Sequence, residues 1–549
     1  MKIALAQLNY HVGNFEKNTE KILRHIDKAK AENADIVVFS ELAVCGYYPH
    51  DLLEKERFVE SCIASINKIA KYAQGITVMV GAPAVNTSPQ GKRLFNSAYI
   101  LQDGEILDII HKTLLPTYDI FDEYRHFEPN KTFRLVEIKG KKVAVTICED
   151  IWDEQSSDNN FAQKKLYTVS PMEELSRLNP DIAINLSASP FSHDKETKRK
   201  KTIQQHASKY KLPFIYVSQV GAQTEILFDG GSVYALPDGS IQNELAYFKE
   251  DFAIIDTEEK AKPRIQPFKD NIGKIHDALV VGIRDYFHKS GFKGATLGLS
   301  GGIDSAVTVV LAVEALGAEN VRVLLMPSKY SSDHSVKDAE DLAKNLGIQY
   351  DLVPIIDVVT GFEGTLSGVF TGKEEDVTEE NIQARIRGTL MMAISNKFGH
   401  ILLNTSNKSE AAVGYGTLYG DMNGGLSVLG DVYKTDVFKL AHYINRNKEI
   451  IPVNTIVKPP SAELRPDQQD SDSLPDYDLL DSILYLYIEK TMSNEQIISH
   501  GYPKDVVERV IGMVDRNEYK RFQSPPIIRV SSKAFGGGRK MPLVAKYQN

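Results

Sequence analysis

Three polar residues in the first half of the chain each follow an apolar run of the kind that forms a buried strand. Glu41 comes after Ile36-Val37-Val38-Phe39 with Ser40 between, Lys112 after Ile109-Ile110-His111, and Cys148 after Val143 to Ile147. A thiol becomes a nucleophile when a neighbouring base removes its proton and a cation holds the oxyanion formed on the attacked carbon. Carboxylate, ammonium and thiol at the end of one sheet would supply those parts for amide hydrolysis. Singly each has a plainer reading: Cys148 as a small buried hydrophobe, Glu41 and Lys112 as a structural ion pair. Cys45, four residues from Glu41, is a rival nucleophile that no strand end presents.

The second half carries a different chemistry. Ser300-Gly301-Gly302-Ile303-Asp304-Ser305 lies between a strand-like run and a helix-like run. Glycines let backbone N–H groups close on a phosphate, and the following helix adds partial positive charge at its N-terminus. Ser300 and Ser305 can donate to phosphate oxygens. Asp304 repels phosphate and makes sense as a magnesium ligand. The Walker ending is absent, so γ-phosphate transfer is not indicated; Ser-Gly-Gly-x-Asp-Ser instead resembles the loop of ATP pyrophosphatases, which cleave between the α and β phosphates, and the plainer reading is a capped glycine turn. Gly414-x-Gly416-x-x-x-Gly420 has the wrong spacing for a dinucleotide fingerprint. Thr405 and Glu410 lie just past another strand-like run on the same edge, with Glu410 a second carboxylate for the metal. Arg385 and Arg387 are two apart in a predicted helix and so point about 200° apart, which leaves at most one for a given phosphate.

These residues need sheets to hold them. Residues 36–39, 76–80, 143–147, 182–186 and 214–217 are predicted strands, and 15–33 and 56–73 predicted helices. Segments 94–111 and 226–242 read as hairpins, the latter turning at Gly230-Gly231 and Asp238-Gly239. The expectation is a mixed α/β domain over 1–255, a mixed sheet with helices outside it. The polar, Pro-punctuated stretch 256–269 reads as a linker. From 270 to 549 the alternation becomes regular: helix 271–289, strand 295–299, helix to 316, strand 321–326, helix 333–346, strand 350–355, helix 379–398, strand 401–405. That is the signature of a doubly wound parallel α/β sheet.

Composition narrows the classes. The 549 residues are 42% hydrophobic and carry a net charge of −9, which argues against a nucleic-acid-binding face. The one basic run, Lys195 to Lys201, reads as a solvated helix face. No apolar run reaches the length of a membrane span, the N-terminus lacks a signal-peptide pattern, and three cysteines without a Cys-x-x-Cys pair fit a reducing compartment. A cytoplasmic enzyme without membrane or nucleic-acid partners is expected.

Longer segments carry a family resemblance. MPSKYSSDHS (326–335), ENIQARIRG (380–388), NTSNKSEAAVGYGTLYGDMNGG (404–425) and KPPSAELRPDQQDSDSLPDYDLLD (458–481) resemble NAD⁺ synthetases over essentially all of 265–549. FSELAVCGY around Glu41, HKTLLP around Lys112 and ICEDIW around Cys148 resemble the Glu-Lys-Cys triad of the nitrilase superfamily. LPTYDIFDEYRHFEP (115–129) and NLSASPF (185–191) resemble the glutaminase domain of glutamine-dependent NAD⁺ synthetases. The resemblance implies a nitrilase-like N-terminal αββα sandwich over 1–255, with Glu41 as base, Lys112 as oxyanion cation and Cys148 as nucleophile, and glutamine at Tyr118, Ser187 and Lys195. It further implies ATP at Ser300, Gly301, Gly302, Asp304, Ser305 and Thr405, deamido-NAD⁺ at Asn381, Arg385, Glu410, Asp421 and Lys434, Mg²⁺ on Asp304 and Glu410, and at least a homodimer. Ser218 and Ala222 stand where that family pattern expects Asn and Gly, and 153–170 is longer and more polar than usual. An ATP-pyrophosphatase-type amide ligase for another carboxylate is the alternative function; a non-catalytic sensor is weighed against the retention of Cys148, Asp304 and Glu410.

Overall fold

The computed structural model describes residues 1–153, 165–259 and 262–547. The chain divides into two compact units, Met1–Phe268 and the remainder from Lys269. Each is built around its own sheets.

The first unit holds two six-stranded sheets. One runs in the order Asp251–Asp256, Lys2–Gln7, Ile36–Val38, Thr77–Val85, Leu94–Gln102, Glu105–His111. The other runs Ile241–Glu244, Val233–Ala235, Phe214–Ser218, Ile182–Ser187, Lys141–Ile147, Val136–Ile138. Their inner faces meet in one apolar layer: Ile3, Leu5, Val38, Met79 and Ile100 from the first sheet pack with Val145, Ile147, Ile184, Leu186 and Val217 from the second. On the outer face of the first sheet, helices Phe15–Ala31 and Glu56–Tyr72 bury Ile22, Ile26, Ala29, Ile66 and Ile69, residues three or four apart along one face. Helices Pro171–Ser176 and Lys195–Tyr210 cover the second sheet through Met172, Leu175, Ile203 and Ala207. This is the αββα sandwich.

The hairpin expected over 94–111 forms as two antiparallel strands. Over 226–242 the expectation needs correction. Val233–Ala235 and Ile241–Glu244 do pair around Asp238-Gly239. Ile226–Asp229, however, pairs with Val220–Gln223 in a separate two-stranded ribbon, so Gly230-Gly231 is a crossing between sheets. A glycine is required at 231, where φ is +60° and a Cβ would fall 2.4 Å from the Tyr247 ring.

The second unit has one sheet in the order Gln349–Leu352, Val321–Leu325, Gly294–Gly298, His400–Asn404, Leu426–Ser427, with every pairing parallel. The first strand in sequence is central and the chain winds outward on both sides of it, so a crevice opens at the carboxyl ends of Gly294–Gly298 and His400–Asn404. Two parts were not anticipated. Helix Ile356–Leu366 buries none of its residues. A C-terminal helical cluster packs Leu480, Ile483, Val507, Val510, Ile511 and Val514 together.

Candidate active sites

In the first unit the three strand-end residues come together across two sheets. Glu41 and Lys112 follow strands of the first sheet and Cys148 ends Lys141–Ile147 of the second, so the expectation of a single sheet edge is replaced by a cleft between facing edges. Parallel register levels the second sheet's edge: Ile147 lies beside Leu186, and Ser187 beside Ser218. All three polar residues are buried.

The Lys112 ammonium donates to Glu41 Oε1 at 2.7 Å and to both oxygens of Glu123 at 2.7 and 2.8 Å. Asn96 Nδ2 donates to Glu41 Oε1 at 2.7 Å, and the Ala188 N–H to Glu41 Oε2 at 3.0 Å. Burial works against the Lys112 charge, but Glu123 and Glu41 overcome it and hold the ammonium well above the ordinary lysine range. Burial also pushes the Cys148 thiol up, and Glu41 adds to the rise against the lowering by Lys112 and the Ser187 hydroxyl. A thiol so placed stays protonated until a base takes its proton, which suits a neighbouring carboxylate as general base.

Cys148 opens a short 3₁₀ turn, Cys148–Ile151, at φ +42°. Asp150 in that turn accepts the N–H groups of Thr113 (3.0 Å), Leu114 (2.8 Å) and Ile147 (3.0 Å), tying the segment after Lys112 to the turn that carries Cys148. Burial pushes its carboxyl up to about 7, against those hydrogen bonds. Glu149 is buried beneath Tyr118 and Tyr167, whose hydroxyls donate to its Oε1 at 2.7 and 2.9 Å. Lys195 has its ammonium 5.7 Å from the Phe121 ring centre and 5.5 Å from that of Trp152. The basic run is therefore not a uniformly solvated face. Arg199, one helical turn on, is fully enclosed and bidentate on Asp229, 2.8 Å at each oxygen, because the helix turns the face bearing Arg199, Thr202, Ile203 and His206 inward. Cys45 and Cys62 are buried in the apolar cluster with Tyr47 and Phe58. Most of the insertion at 153–170 lies outside the described residues.

Glu123 was missed as an individual residue, although it lies inside the resembling stretch 115–129. It ends no strand; it sits in the short helix Glu123–Arg125 and takes donors from Lys112, Tyr47 (2.8 Å) and Asn96 (3.3 Å).

In the second unit the Ser300–Ser305 loop leaves Gly294–Gly298 and enters helix Ile303–Leu316. Gly301 has φ +80°, and a Cβ there would lie 2.2 Å from the Ser335 carbonyl oxygen, so this turn admits only glycine. Ser300 Oγ accepts the Gly302 N–H at 3.2 Å, and Ser305 Oγ donates to the Gly302 carbonyl at 3.0 Å. Asp304 reaches out of the helix's first turn. Its Oδ2 is 2.6 Å from the Lys434 ammonium, and its Oδ1 accepts from Asn407 Nδ2 at 2.8 Å. Lys434 also lies 3.4 Å from Glu410 Oε1. Asn407 and Glu410 cap each other at the start of helix Lys408–Val413, the Asn407 side chain accepting the Glu410 N–H at 3.0 Å. Burial, with Asp304 adding to it, raises the Glu410 carboxyl to about 8. Asp470 joins the group, held by Tyr477 (2.8 Å) and Tyr415 (3.3 Å). Two carboxylates on one lysine, one of them resisting ionisation, form an oxygen-donor site short of positive charge, and hard Mg²⁺ fits such a donor set. Asn407 and Asp470 were not singled out from the sequence; the Asn-x-x-Glu capping spacing was a usable signal for the first.

A second group lies along helix Val377–Phe398. Asn381 Oδ1 accepts from Thr417 Oγ1 at 2.6 Å, and Asp421 Oδ1 accepts the Thr417 N–H at 2.5 Å. Arg385 is exposed and donates to the Leu418 carbonyl at 3.2 Å, whereas Arg387 turns away and donates to the Met326 carbonyl at 3.1 Å. Thr405 directly follows strand His400–Asn404, at the edge where the Ser300 loop begins. Asn404, before it, donates to the Asp421 and Asn423 carbonyls at 2.8 and 3.0 Å, linking this group to that edge.

Comparison with known proteins matches both units. A carbon-nitrogen hydrolase model covers residues 2–261 and an NAD synthase model residues 275–524. The chain is 44% identical to a glutamine-dependent NAD⁺ synthetase of Synechocystis sp., over 99% of each chain. It is 43% identical to one of Acinetobacter baylyi, over 99% of this chain and 98% of that one. A glutamine-dependent NAD⁺ synthetase of Acinetobacter baumannii, solved in complex with ADP, superposes with TM-score 0.78 at 40% identity over 99% of this chain and 98% of that one. A Cytophaga hutchinsonii enzyme of the same name, 22% identical over 99% and 98% of the two chains, shares the fold at TM-score 0.83. With two matched units in this order and relatives spanning its full length, the chain belongs to the glutamine-dependent NAD⁺ synthetase family.

Proposed function

We propose that the chain converts deamido-NAD⁺ to NAD⁺, using ammonia from glutamine and energy from the cleavage of ATP to AMP and pyrophosphate. The observation that carries this reading is the presence, in one chain, of the Glu41–Lys112 pair beside Cys148 and of the Ser300–Ser305 loop with Asp304 gripped by Lys434 and Asn407.

In the first unit, Glu41 takes the Cys148 proton as sulfur attacks the carboxamide carbon of glutamine. The Lys112 contacts are taken up by Glu41 and Glu123, so its charge rather than a free N–H steadies the oxyanion. Glu41 returns the proton to the departing ammonia, then takes one from the water that cleaves the thioester to glutamate. Tyr118, Ser187 and Lys195 line the approach for glutamine in this reading. In the second unit, Ser300, Gly301, Gly302, Ser305 and Thr405 hold ATP, and Asn381, Arg385, Asp421 and Lys434 hold deamido-NAD⁺. The nicotinate carboxylate attacks the α phosphorus, pyrophosphate leaves, and ammonia displaces AMP from the acyl-adenylate. Asp304 and Glu410 would hold Mg²⁺, which when bound neutralises charge on the phosphate oxygens. Lys434, set between both carboxylates, adds a fixed positive charge beside the same oxygens.

We place this enzyme in the cytoplasm as at least a homodimer. No helix among the described residues is long and apolar enough to cross a membrane. The uncovered helix Ile356–Leu366, with Ile356, Val358 and Phe362 39–49% exposed, supports a second copy as a covering surface.

The test is isotopic. With ¹⁸O in the nicotinate carboxylate, one label is expected in the phosphate of AMP. Label in inorganic phosphate, with ADP formed, overturns the adenylate route.

A further inference from the structure

Four enclosed cations among the described residues are neutralised by carboxylates: Lys112 by Glu41 and Glu123, Arg199 by Asp229, Lys408 by Asp431 and Glu489, Lys434 by Asp304 and Glu410. Arg387, which is partly buried, stands apart from them. Among the described residues no carboxylate comes within 4.0 Å of its guanidinium, and its one hydrogen bond is from Nε to the Met326 carbonyl, 3.1 Å away. A guanidinium has five N–H donors in a planar fork, so most of its capacity is unspent. Burial lowers it to about 10, with Glu463 and Asp421 opposing only from a distance. Each of those acids is held elsewhere: Glu463 accepts from Ser332 and Ser335 at 2.9 and 2.7 Å, and Asp421 from the Thr417 N–H at 2.5 Å.

Its position gives the vacant fork a meaning. Met326 directly follows strand Val321–Leu325, which pairs in parallel with Gly294–Gly298, the strand that leads into the Ser300–Ser305 loop. Arg387 therefore stands at the carboxyl edge of the sheet, next to the strand that opens into the phosphate loop, where α/β sheets bind ligands. At the end of strand His400–Asn404, on the other side of Gly294–Gly298, Asn404 ties the same sheet edge to the Asp421 carbonyl. A partly buried guanidinium at such an edge, with donors unspent and no carboxylate beside it, is suited to receive an anionic ligand.

We infer that Arg387 binds a phosphate oxygen of a bound nucleotide through the unspent N–H groups of its guanidinium, and that this oxygen supplies the counter-charge that the free protein leaves out. The inference rests on the synthetase reading above. The shared chemistry is a phosphodiester or phosphoanhydride oxygen, which ATP and deamido-NAD⁺ both carry.

The experiment measures binding of ATP and of deamido-NAD⁺ separately by calorimetry on the full-length chain, for wild type, Arg387→Met and Arg387→Lys. Ligand-induced shifts in melting temperature are recorded alongside. Arg387→Met is expected to weaken one of the two ligands by roughly tenfold or more, the loss of one charge-assisted contact. The unliganded variant is expected to melt no lower than wild type, because a buried charge without a partner has been removed. Arg387→Lys is expected to recover part of the affinity. Loss confined to ATP places the contact on the triphosphate; loss confined to deamido-NAD⁺ places it on the dinucleotide pyrophosphate. If both ligands bind Arg387→Met within twofold of wild type, or if the free variant melts well below wild type with its ligand-induced shifts intact, Arg387 is a structural residue and the inference is overturned. Failure of wild type itself to bind ATP would instead count against the synthetase reading.

Discussion

Replacing Glu123 by glutamine keeps the size of the side chain and removes one negative charge from beneath Lys112. Both Glu123 oxygens lie within 2.8 Å of the Lys112 ammonium, and Tyr47 and Asn96 also donate to them. A glutamine in either orientation must turn its NH₂ toward a donor, so at least one charge-assisted hydrogen bond is lost and one like contact appears. A hydrogen bond to a charged group contributes about 1.5–3 kcal/mol. Lys112 would then lean more heavily on Glu41, drawing toward itself the carboxylate proposed to accept the thiol proton. The same 1.5–3 kcal/mol taken from the base corresponds to a roughly 10- to 100-fold fall in glutaminase turnover. Stability should drop by about 2 kcal/mol, a melting shift of roughly 4–8 °C for a unit of this size. The assay is glutamate release at saturating glutamine, beside ammonia-dependent NAD⁺ synthesis as a control that should be unchanged. Glutaminase turnover within twofold of wild type, in a protein that melts normally, would refute the argument that Glu123 frees Glu41 to act as a base.

Cys148→Ala is expected to abolish glutamine-dependent synthesis while ammonia-dependent synthesis survives, since the other two cysteines are packed in an apolar cluster; comparable glutamine use would reassign the nucleophile. Asp304→Asn keeps the helix but loses the charge shared with Lys434, so synthesis should fail from both nitrogen donors with glutaminase activity still measurable. Normal synthesis at ordinary magnesium concentrations would exclude Asp304 as a ligand. Glu410 gives a pH signature: its carboxyl is raised to about 8, and a metal needs the ionised form, so binding displaces a proton below that pH. The magnesium concentration for half-maximal binding, followed with Mn²⁺ as a spectroscopic stand-in, should fall roughly tenfold per pH unit up to about 8 and then level off. Stability without metal has the opposite sign: a carboxyl raised from 4.5 to about 8 favours the folded state below its unfolded value, and that contribution is lost as pH rises through about 8. A flat metal profile from pH 6.5 to 8 would contradict this role.

The residues best seen in the sequence were those anchored to strong periodic elements. Cys148, Lys112 and Glu41 end buried strands, and Asp304 opens a helix after a glycine turn, so chain position alone indicated where each would point. Residues that act through irregular backbone were harder to see. Glu123 sits in a three-residue 3₁₀ turn and Asp470 in another, and no periodic pattern aims a side chain from such a turn. The Gly230-Gly231 crossing was misread as a hairpin because both arrangements need glycine at positive φ; only packing against Tyr247 distinguishes them. Arg199 looked solvated because a basic run hides which of its members faces a buried aspartate thirty residues away. The pairing of Arg387 with Met326 instead of a substrate-side partner depends on the neighbouring strand's end, which spacing within one helix cannot reveal.

The left-handed backbone at Cys148 reverses an ordinary rule of substitution. In most places alanine is more stable than glycine by about 0.5–1 kcal/mol, because glycine gives up more freedom on folding. At φ +42° the side-chain-bearing residue is the strained one, by about 1–2 kcal/mol. Among inactive forms of this enzyme, Cys148→Gly should therefore melt at or above Cys148→Ala, by up to roughly 2–4 °C. Cys148 thus occupies a position that selection for stability alone would hand to glycine. The Asp150 bracket across Thr113, Leu114 and Ile147 is what keeps a thiol there, and drift toward a sturdier, silent sequence is one substitution away.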